Sequence, residues 1–218
     1  MTSIAFLGGT GDQGRGLARR FALAGHDVVI GSRSPERAQA AAADLTGSLP
    51  EGARVSGVAN LDAAAAGDVV IVAVPWEGHE ALLKEVAPAL TGKIVVDCVN
   101  PLGFDAQGAF ALDVEEGSAA QQAAGLLPDS RVVAAFHHVS AVLLLDPEVD
   151  TLDTDVLVLG DDRDATDAVQ ALAAEIPGMR GIYAGRLRNA HQVEALTANL
   201  ISVNRRYKAH AGLRVTDV

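Results

Sequence analysis

The sequence has little cysteine, few aromatic residues and a deficit of positive charge. Cys98 is the only cysteine among 218 residues, so the chain can form neither an intrachain disulfide nor a cysteine-based metal site. We interpret Cys98, which follows a predicted buried strand, as a structural thiol. The formal net charge of -11 argues against nucleic acid or an anionic membrane as the main partner.

Long apolar runs are also missing. No run approaches the roughly 20 residues that a membrane-spanning helix needs. Met1-Thr2-Ser3 enters the first predicted strand directly and leaves no room for a signal peptide. We therefore expect a soluble, cytoplasmic protein. The length predicts one domain plus an appendage or two small domains, and either is large enough to bury a core.

A glycine cluster follows the first apolar run. Gly9, Gly11 and Gly14 have the spacing G-x-G-x-x-G between the run Ile4 to Leu7 and a helix-prone segment from Arg15. This pattern is typical of the turn that opens a dinucleotide-binding unit, where glycines permit a tight turn, close approach of the pyrophosphate and close helix packing. The unpaired N–H groups at the helix N-terminus then face the phosphates. A single glycine motif is weak support, so the rest of the chain must agree with it.

The end of the second predicted strand indicates which dinucleotide is bound. An NAD-preferring unit has an acidic residue about 20 residues after the glycines. This chain has Ser32 and Arg33 there, with Arg37 one helical turn later. Guanidinium groups fit phosphate geometry and stay charged, so we predict that the ligand is NADP. The alternative is a polar loop with an N-cap at Ser34, and the two interpretations are compatible.

Continuous apolar strands alternate with predicted helices. The predicted strands 68–74, 93–97 and 131–136 are apolar throughout their interiors (69–74, 94–96 and 132–136), as expected for a parallel sheet with helices on both faces. We predict an α/β fold of the Rossmann type, with a doubly wound, mostly parallel sheet and a small C-terminal helical part. Residues 1–186 are assigned to the NADP-binding domain and 187–218 to a C-terminal helix and tail.

The remaining segments carry more detailed predictions. Residues 102–116 are expected to form an irregular connection, and 155–183 a strand, a helix and a further strand that enlarge the sheet. The final helix is predicted from Arg188 to His210. Its apolar stripe consists of Val193, Leu196, Leu200, Val203 and Tyr207.

Ligands of open α/β sheets bind beyond the carboxyl ends of the strands. Val74-Pro75-Trp76 and Asn100-Pro101 are therefore candidate walls, although Trp76 could equally be a core aromatic. His137 and His138 end another predicted strand, where neighbouring side chains point to opposite sides. No metal-binding motif accompanies them, so we predict no metal site and one histidine facing the ligand.

The C-terminal end is basic although the protein is acidic. From Arg186 onward there are six basic residues against two acidic ones. A solvated helix face and a site for an anionic ligand both explain this excess.

Several of these motifs together resemble a known family. Gly8-Gly9-Thr10-Gly11, Gly31-Ser32-Arg33, Val74-Pro75-Trp76-Glu77, Ser118-Ala119-Ala120 and the long final helix with its Gly-Leu tail are similar to the NADP-dependent oxidoreductases of the 8-hydroxy-5-deazaflavin coenzyme F420. The resemblance covers nearly the whole chain. It implies reversible hydride transfer between NADP(H) and coenzyme F420, usually in a homodimer, with the final helix contributing to the deazaflavin site and the dimer contact.

The resemblance also implies site residues, beside Gly9 of the turn. The pyrophosphate contacts are Thr10, Gly11, Asp12 and Gln13, and the 2′-phosphate contacts are Ser32, Arg33 and Arg37. The nicotinamide contacts are Val74 and Pro75, with a loop contact at Ala141, and the deazaflavin contacts are His137, Val139 and Leu213. Two departures from the family pattern are the position of His79, one residue late, and Ser140 in place of proline.

The sequence lacks a placed proton donor, and hydride transfer between the two coenzymes does not need one. Reduction of a carbonyl needs a placed acid as well as a hydride, whereas the start of the final helix, Asn189 to Glu194, contains no lysine. Transfer between two flat carriers needs only stacking with the reacting carbons roughly 3–3.5 Å apart. We therefore predict no catalytic residue, with His137 contacting the ring. The alternatives are an NADPH-dependent imine or ketone reductase and a non-catalytic NADP(H)-binding sensor.

Overall fold

A computed structural model describes residues 2–218, and its central feature is a sheet of eight strands. The strands of the sheet and of a separate hairpin are β1 (Ser3–Leu7), β2 (Asp27–Ser32), β3 (Arg54–Ala59), β4 (Val69–Val72), β5 (Ile94–Asp97), β6 (Leu102–Asp105), β7 (Gly108–Ala111), β8 (Arg131–Ala134), β9 (Thr154–Gly160) and β10 (Met179–Gly185). The helices are α1 (Asp12–Leu23), α2 (Pro35–Gly47), α3 (Asn60–Ala66), α4 (His79–Leu90), α5 (Ala119–Leu126), α6 (Ala141–Leu145), α7 (Arg163–Ala174) and α8 (Ala190–Tyr207).

The sheet has the strand order β10-β9-β8-β5-β4-β1-β2-β3. All pairs from β3 to β8 are parallel, and the order reverses between β1 and β4. Strand β9 is antiparallel to β8, and β10 is parallel to β9. The predicted doubly wound, mostly parallel Rossmann-type sheet is therefore confirmed. Such a sheet binds ligands at the carboxyl ends of its strands, near the point where the order reverses.

The core lies on both faces of the sheet. Ile4 and Phe6 of β1 pack on one face, whereas Ala5 and Leu7 pack on the other, and all four are fully buried. Successive residues of a strand point to opposite faces, so a strand covered on both sides must be apolar at every position. This explains the continuous apolar runs in the sequence.

The expectation of an irregular connection over 102–116 is wrong, because β6 and β7 form an antiparallel hairpin. Its turn is closed by Asp105, whose Oδ1 accepts hydrogen bonds from the N–H groups of Gln107 (2.7 Å) and Gly108 (3.1 Å). Gly108 has φ +128°, a conformation that favours glycine. An aspartate three residues before a glycine was the turn signal in the sequence.

The C-terminal helix is shorter than predicted. A short 3-10 turn (Leu187–Asn189) precedes α8, which ends at Tyr207 because Lys208 has φ +53°. The apolar stripe holds only in the first half of the helix. Val193 and Leu200 are buried, but Tyr207 is 74% exposed. The division of the chain at residue 186 stays a prediction.

The tail after α8 returns to the sheet. The backbone N–H of Asp155, at the start of β9, donates to the carbonyl of Leu213 at 2.7 Å. The N–H of Leu213 in turn donates to Oγ1 of Thr154 at 3.0 Å. Within residues 2–218, no helix is both long enough and apolar enough to cross a membrane.

Candidate functional site

The glycines of the first turn have different surroundings. A Cβ on Gly14 would lie 2.7 Å from Cα of Gly9, so α1 can lie against the turn only because Gly14 has no side chain. A Cβ on Gly11 would meet nothing within 4 Å. Gly8 has φ +68°, and its missing Cβ leaves room for Val74 after β4. The turn and the end of β4 are therefore neighbours, a contact that the sequence motif did not reveal.

The N-terminus of α1 is open to a ligand. Gly11 is the N-cap residue, and no side chain caps the helix there. Free N–H groups at a helix N-terminus favour an anion. Asp12 is exposed and Thr10 is half-buried. Gln13 is engaged within the chain, because its Nε2 donates to the carbonyl of Phe136 at 3.2 Å and links the turn to the end of β8.

The predicted 2′-phosphate residues lie at the end of β2 and the start of α2. Arg33 and Arg37 are exposed, and neither guanidinium has a hydrogen bond or an ion pair with any residue that the structure describes. Ser34 caps α2 by accepting from the N–H of Arg37 at 3.3 Å. The buried Ser32 accepts from the N–H of Ser34 at 3.2 Å. The cap therefore leaves both guanidinium groups unpaired among residues 2–218, and the phosphate site stays a prediction that the cap does not exclude.

The two adjacent histidines have different roles in the structure. Nε2 of His138 donates to the carbonyl of Asp155 at 2.7 Å, in the interior. Neither ring nitrogen of His137 has a partner among residues 2–218. Burial lowers the pKa of His137 to about 4, so its imidazole is neutral near pH 7. Among the described residues, His137 thus has both ring nitrogens unpaired, whereas His138 has only Nδ1 unpaired, and both side chains are buried.

Three elements meet at the backbone carbonyl of His137. Nδ2 of Asn100, after β5, donates to it at 2.9 Å, and Oγ1 of Thr197 on α8 lies 3.3 Å from it. Oγ1 of Thr197 is also 3.3 Å from Oδ1 of Asn100. Sequence analysis identified Asn100 as a candidate wall but missed Thr197, because no local pattern distinguishes it on the helix.

A buried polar cluster lies close to this point. Nε2 of His79, the first residue of α4, is 2.6 Å from Oδ2 of Asp97 at the end of β5, and both side chains are fully buried. Nδ1 of His79 is 2.9 Å from Oε1 of Gln122 on α5. We call His79, Asp97, Gln122 and Glu194 the buried cluster. No sequence motif predicted it.

Glu194 of α8 completes the buried cluster. Its carboxylate accepts hydrogen bonds from the N–H groups of Ala119 (2.9 Å) and Ala120 (3.1 Å) at the start of α5. Burial raises the pKa of Glu194 to about 7, against the two backbone hydrogen bonds that favour the charged form. The nearby Asp97 carboxylate adds to the increase. Glu194 and Thr197, one helical turn apart, therefore fix α8 on the carboxyl edge of the sheet.

Ion pairs hold the tail that carries Leu213. The Asp155 carboxylate accepts from Arg180 and Arg214 at 2.6 Å each, and also from the N–H of Val215. The hydrogen bond from Arg180 is the main reason that the pKa of Asp155 lies well below its usual range. One basic residue of the C-terminal excess, Arg214, is thus explained by pairing within the chain.

The structure brings several predicted residues together and separates others. Val74 lies beside the glycine turn, and the half-buried Ala141 begins α6, which packs against α1. Pro75 is exposed at the same edge. Val139 is 5% exposed and belongs to the core, so little of its side chain is accessible. Among residues 2–218, no group of three histidine, cysteine or acidic side chains is arranged to hold a metal ion.

Comparisons with known proteins point in one direction. A family model described as "NADP oxidoreductase coenzyme F420-dependent" matches residues 3–101. An F420-dependent NADP reductase from Methanothermobacter marburgensis is 42% identical over 99% of this chain and 98% of its own length. The crystal structure of a putative F420-dependent NADP-reductase from Arthrobacter sp. FB24 is similar with a TM-score of 0.84 and 30% identity, over 99% of this chain and 100% of that one.

More distant structures share the fold alone. An imine reductase from Bacillus cereus has a TM-score of 0.67 and 18% identity, over 95% of this chain and 63% of its own. At that identity the likeness says nothing about the reaction.

Proposed function

The chain belongs to the family of coenzyme F420-dependent NADP oxidoreductases, and we propose that the two carriers meet at the carboxyl edge of its sheet. It is an oxidoreductase that transfers a hydride between NADP(H) and coenzyme F420. The observation that carries this function is identity of 42% to a reductase of that activity over nearly the full length of both chains. The open glycine turn and the free guanidinium groups agree with it.

We infer that the turn and α2 hold the phosphates of NADP(H). Gly9, Thr10, Gly11, Asp12 and Gln13 surround the pyrophosphate site, where uncapped N–H groups of α1 supply hydrogen bonds. Ser32, Arg33 and Arg37 take the 2′-phosphate. The support for this assignment is that both guanidinium groups are exposed and have no partner among residues 2–218. A phosphate would satisfy them with charge-assisted hydrogen bonds.

We assign the nicotinamide side to Val74 and Pro75, with Ala141 as a loop contact, and the deazaflavin to His137, Val139 and Leu213. The two carriers supply the redox chemistry when they are bound. The chain orients them and excludes water with small apolar side chains. His137 is neutral, so it can hydrogen-bond a ring without adding charge. Leu213 is held in place by the ion pairs of the tail.

We also propose that the protein is a homodimer that works in the cytoplasm, with the C-terminal part at the dimer interface. The support is a set of exposed apolar side chains on the hairpin and the end of α8. Phe104 is 70% exposed and Tyr207 is 74% exposed. Strand β7 of the hairpin packs against α8, and exposed apolar side chains on neighbouring elements are typical of an interface.

An absorbance assay tests the function. Protein is mixed with NADPH and oxidised deazaflavin, and we expect the visible band of the deazaflavin to disappear as NADPH is consumed in equal amount. A cyclic imine replaces the deazaflavin in the control and should leave NADPH unchanged. Turnover with the imine alone would indicate an imine reductase, and NADPH binding without any turnover would indicate a sensor. Either result would refute the proposal.

A further inference from the structure

The surroundings of His79 determine its protonation. Its Nε2 faces the Asp97 carboxylate at 2.6 Å, and its Nδ1 faces Oε1 of Gln122 at 2.9 Å. The orientation of the Gln122 amide is fixed at its other end, because Nε2 donates to Glu116 at 3.2 Å. Carboxylate and amide oxygens can only accept hydrogen bonds. With Asp97 ionised, both ring nitrogens of His79 therefore carry a proton, which makes the ring an imidazolium.

The charges around His79 agree with this state. Burial lowers the pKa of His79, but the Asp97 carboxylate and the hydrogen bonds to Asp97 and Gln122 outweigh burial, so the pKa lies above its ordinary value. The Glu194 carboxylate on α8 acts in the same direction. Glu80, the next residue of α4, is the other charged group beside the ring, and its pKa is lowered mainly by its hydrogen bond and ion pair with Lys84, with His79 as the smallest contribution. The surrounding groups are thus anionic or neutral acceptors.

The His79 ring also contacts the ring of Trp76. The two ring centroids are 5.4 Å apart, and the planes are inclined by 33°. An imidazolium against an indole face is a cation–π contact, which is stronger when water is excluded. Trp76 is half-buried and directly follows Val74 and Pro75, the segment assigned to the nicotinamide.

We propose that His79 is a positioning residue, which holds the Trp76 ring, and through it the Val74-Pro75 segment, in the orientation that hydride transfer requires. This inference rests on the proposed nicotinamide site. His79 contacts neither carrier and acts through Trp76. A neutral His79 has only one N–H group and could donate only one of its two hydrogen bonds. The ring would then release Gln122, and the contact with Trp76 would loosen.

Intrinsic fluorescence of the ligand-free protein tests the contact directly, because Trp76 is the only tryptophan. A protonated imidazole quenches an adjacent indole, so emission should rise as the pH increases through the raised pKa of His79 and the ring loses its proton. Gln122→Met removes one acceptor and should move this transition to lower pH, whereas Gln122→Glu should move it to higher pH. We expect shifts of about one pH unit, as for gain or loss of one polar neighbour. His191→Asn, at an exposed histidine, is the matched control and should leave the transition unchanged.

Single-turnover hydride transfer tests the consequence. The rate should fall about 10-fold above the fluorescence transition, as expected when a reacting group is misplaced. In both Gln122 variants, the pH at which the rate falls should change together with the pH of the fluorescence transition. The affinity for NADPH should stay within about twofold of the wild type, because the phosphate contacts are untouched. Gln122→Glu conserves size, so it decides the question if Gln122→Met does not fold.

Two results would overturn the proposal. One is that the wild-type protein shows no fluorescence transition, or shows one whose pH does not change in the Gln122 variants. The other is that the Gln122 variants change the pH of the fluorescence transition but not the pH at which the rate falls. The contact between His79 and Trp76 would then be purely structural. Failure of the wild-type protein to reduce the deazaflavin would instead refute the proposed function, and the fluorescence titration would still show whether His79 is an imidazolium on Trp76.

Discussion

The site has two halves that are built in different ways. The proposed nucleotide turn, which consists of residues 8–14 and 32–37, lies within two consecutive strand–helix units and presents backbone N–H groups and exposed guanidinium groups. The buried cluster takes its four side chains from α4, the end of β5, α5 and α8, and all four are buried. The first half is specified by local sequence, and the second exists only after the whole chain has folded. The two halves should therefore respond differently to substitution.

The largest expected effect is the loss of stability caused by a substitution at a packed glycine of the turn. Gly14→Ala places a methyl group 2.7 Å from Cα of Gly9, where backbone cannot move aside. We expect a loss of about 3 kcal/mol or more in the free energy of unfolding, as for overpacked core sites. Urea unfolding measures it.

Gly11→Ala is the matched control for that variant. Its Cβ meets nothing within 4 Å, so stability should change by less than about 1 kcal/mol. NADPH binding should nevertheless fall, because the methyl group occupies the space where the pyrophosphate approaches α1. Equal loss of stability in both variants would show that Gly11 is a packing residue.

Arg33→Ala should weaken NADPH binding about 30- to 100-fold, which corresponds to about 2–2.7 kcal/mol for a lost charge-assisted contact to phosphate. NADH, which lacks the 2′-phosphate, should bind within about twofold of the wild type. Calorimetric titration with both nucleotides measures the difference. An equal loss for NADPH and NADH would remove Arg33 from the 2′-phosphate site.

The two halves also differ in how much of their structure could be predicted from the sequence. The turn was predicted because glycine spacing, strand end and helix cap are features of neighbouring residues. Glu194 was placed on a helix, but the apolar stripe that begins at Val193 gave no reason to expect its carboxylate at the N-terminus of α5. His79 likewise follows a strand whose position was predicted, yet its partners are 18 and 43 residues away along the chain. Such contacts depend on the packing of elements and leave no periodic pattern.

The hairpin shows a different kind of failure. Its turn signal, Asp105 with Gly108, was present in the sequence, but the two strands are only four residues each and largely exposed. Short strands with one open face carry little hydrophobic alternation. The hairpin was therefore not predicted, although the sequence contains its turn signal.

The pH dependence of stability should distinguish the buried cluster from the exposed turn. The pKa of Glu194 is raised to about 7 in the folded protein, so the stabilising protonated form is fully present below the ordinary value of 4.5 and is lost as the pH rises through 7. Relative to Glu194→Gln, the wild type should lose about 1–2 kcal/mol of stability between these two pH values. Parallel stability curves for the two proteins would contradict this assignment.

Leu213→Ala should give the smallest effect and act only on the deazaflavin side. Its backbone hydrogen bonds to Thr154 and Asp155 do not need the side chain, so the tail should stay in place. We expect KM for the deazaflavin to rise about 3- to 10-fold from the lost apolar contact, about 1 kcal/mol. The dissociation constant of NADPH should not change, and a parallel change in both constants would argue against separate halves.

Isotope transfer tests the central claim, that a hydride passes directly between the two carriers at this site. NADPH deuterated at both C4 positions is oxidised by the protein with deazaflavin in ordinary water, and the reduced deazaflavin is analysed by mass spectrometry and NMR. We predict one deuterium at C5 in nearly every product molecule, because a hydride that passes directly between the carriers does not exchange with water. Product that carries hydrogen from water at that carbon would contradict direct transfer.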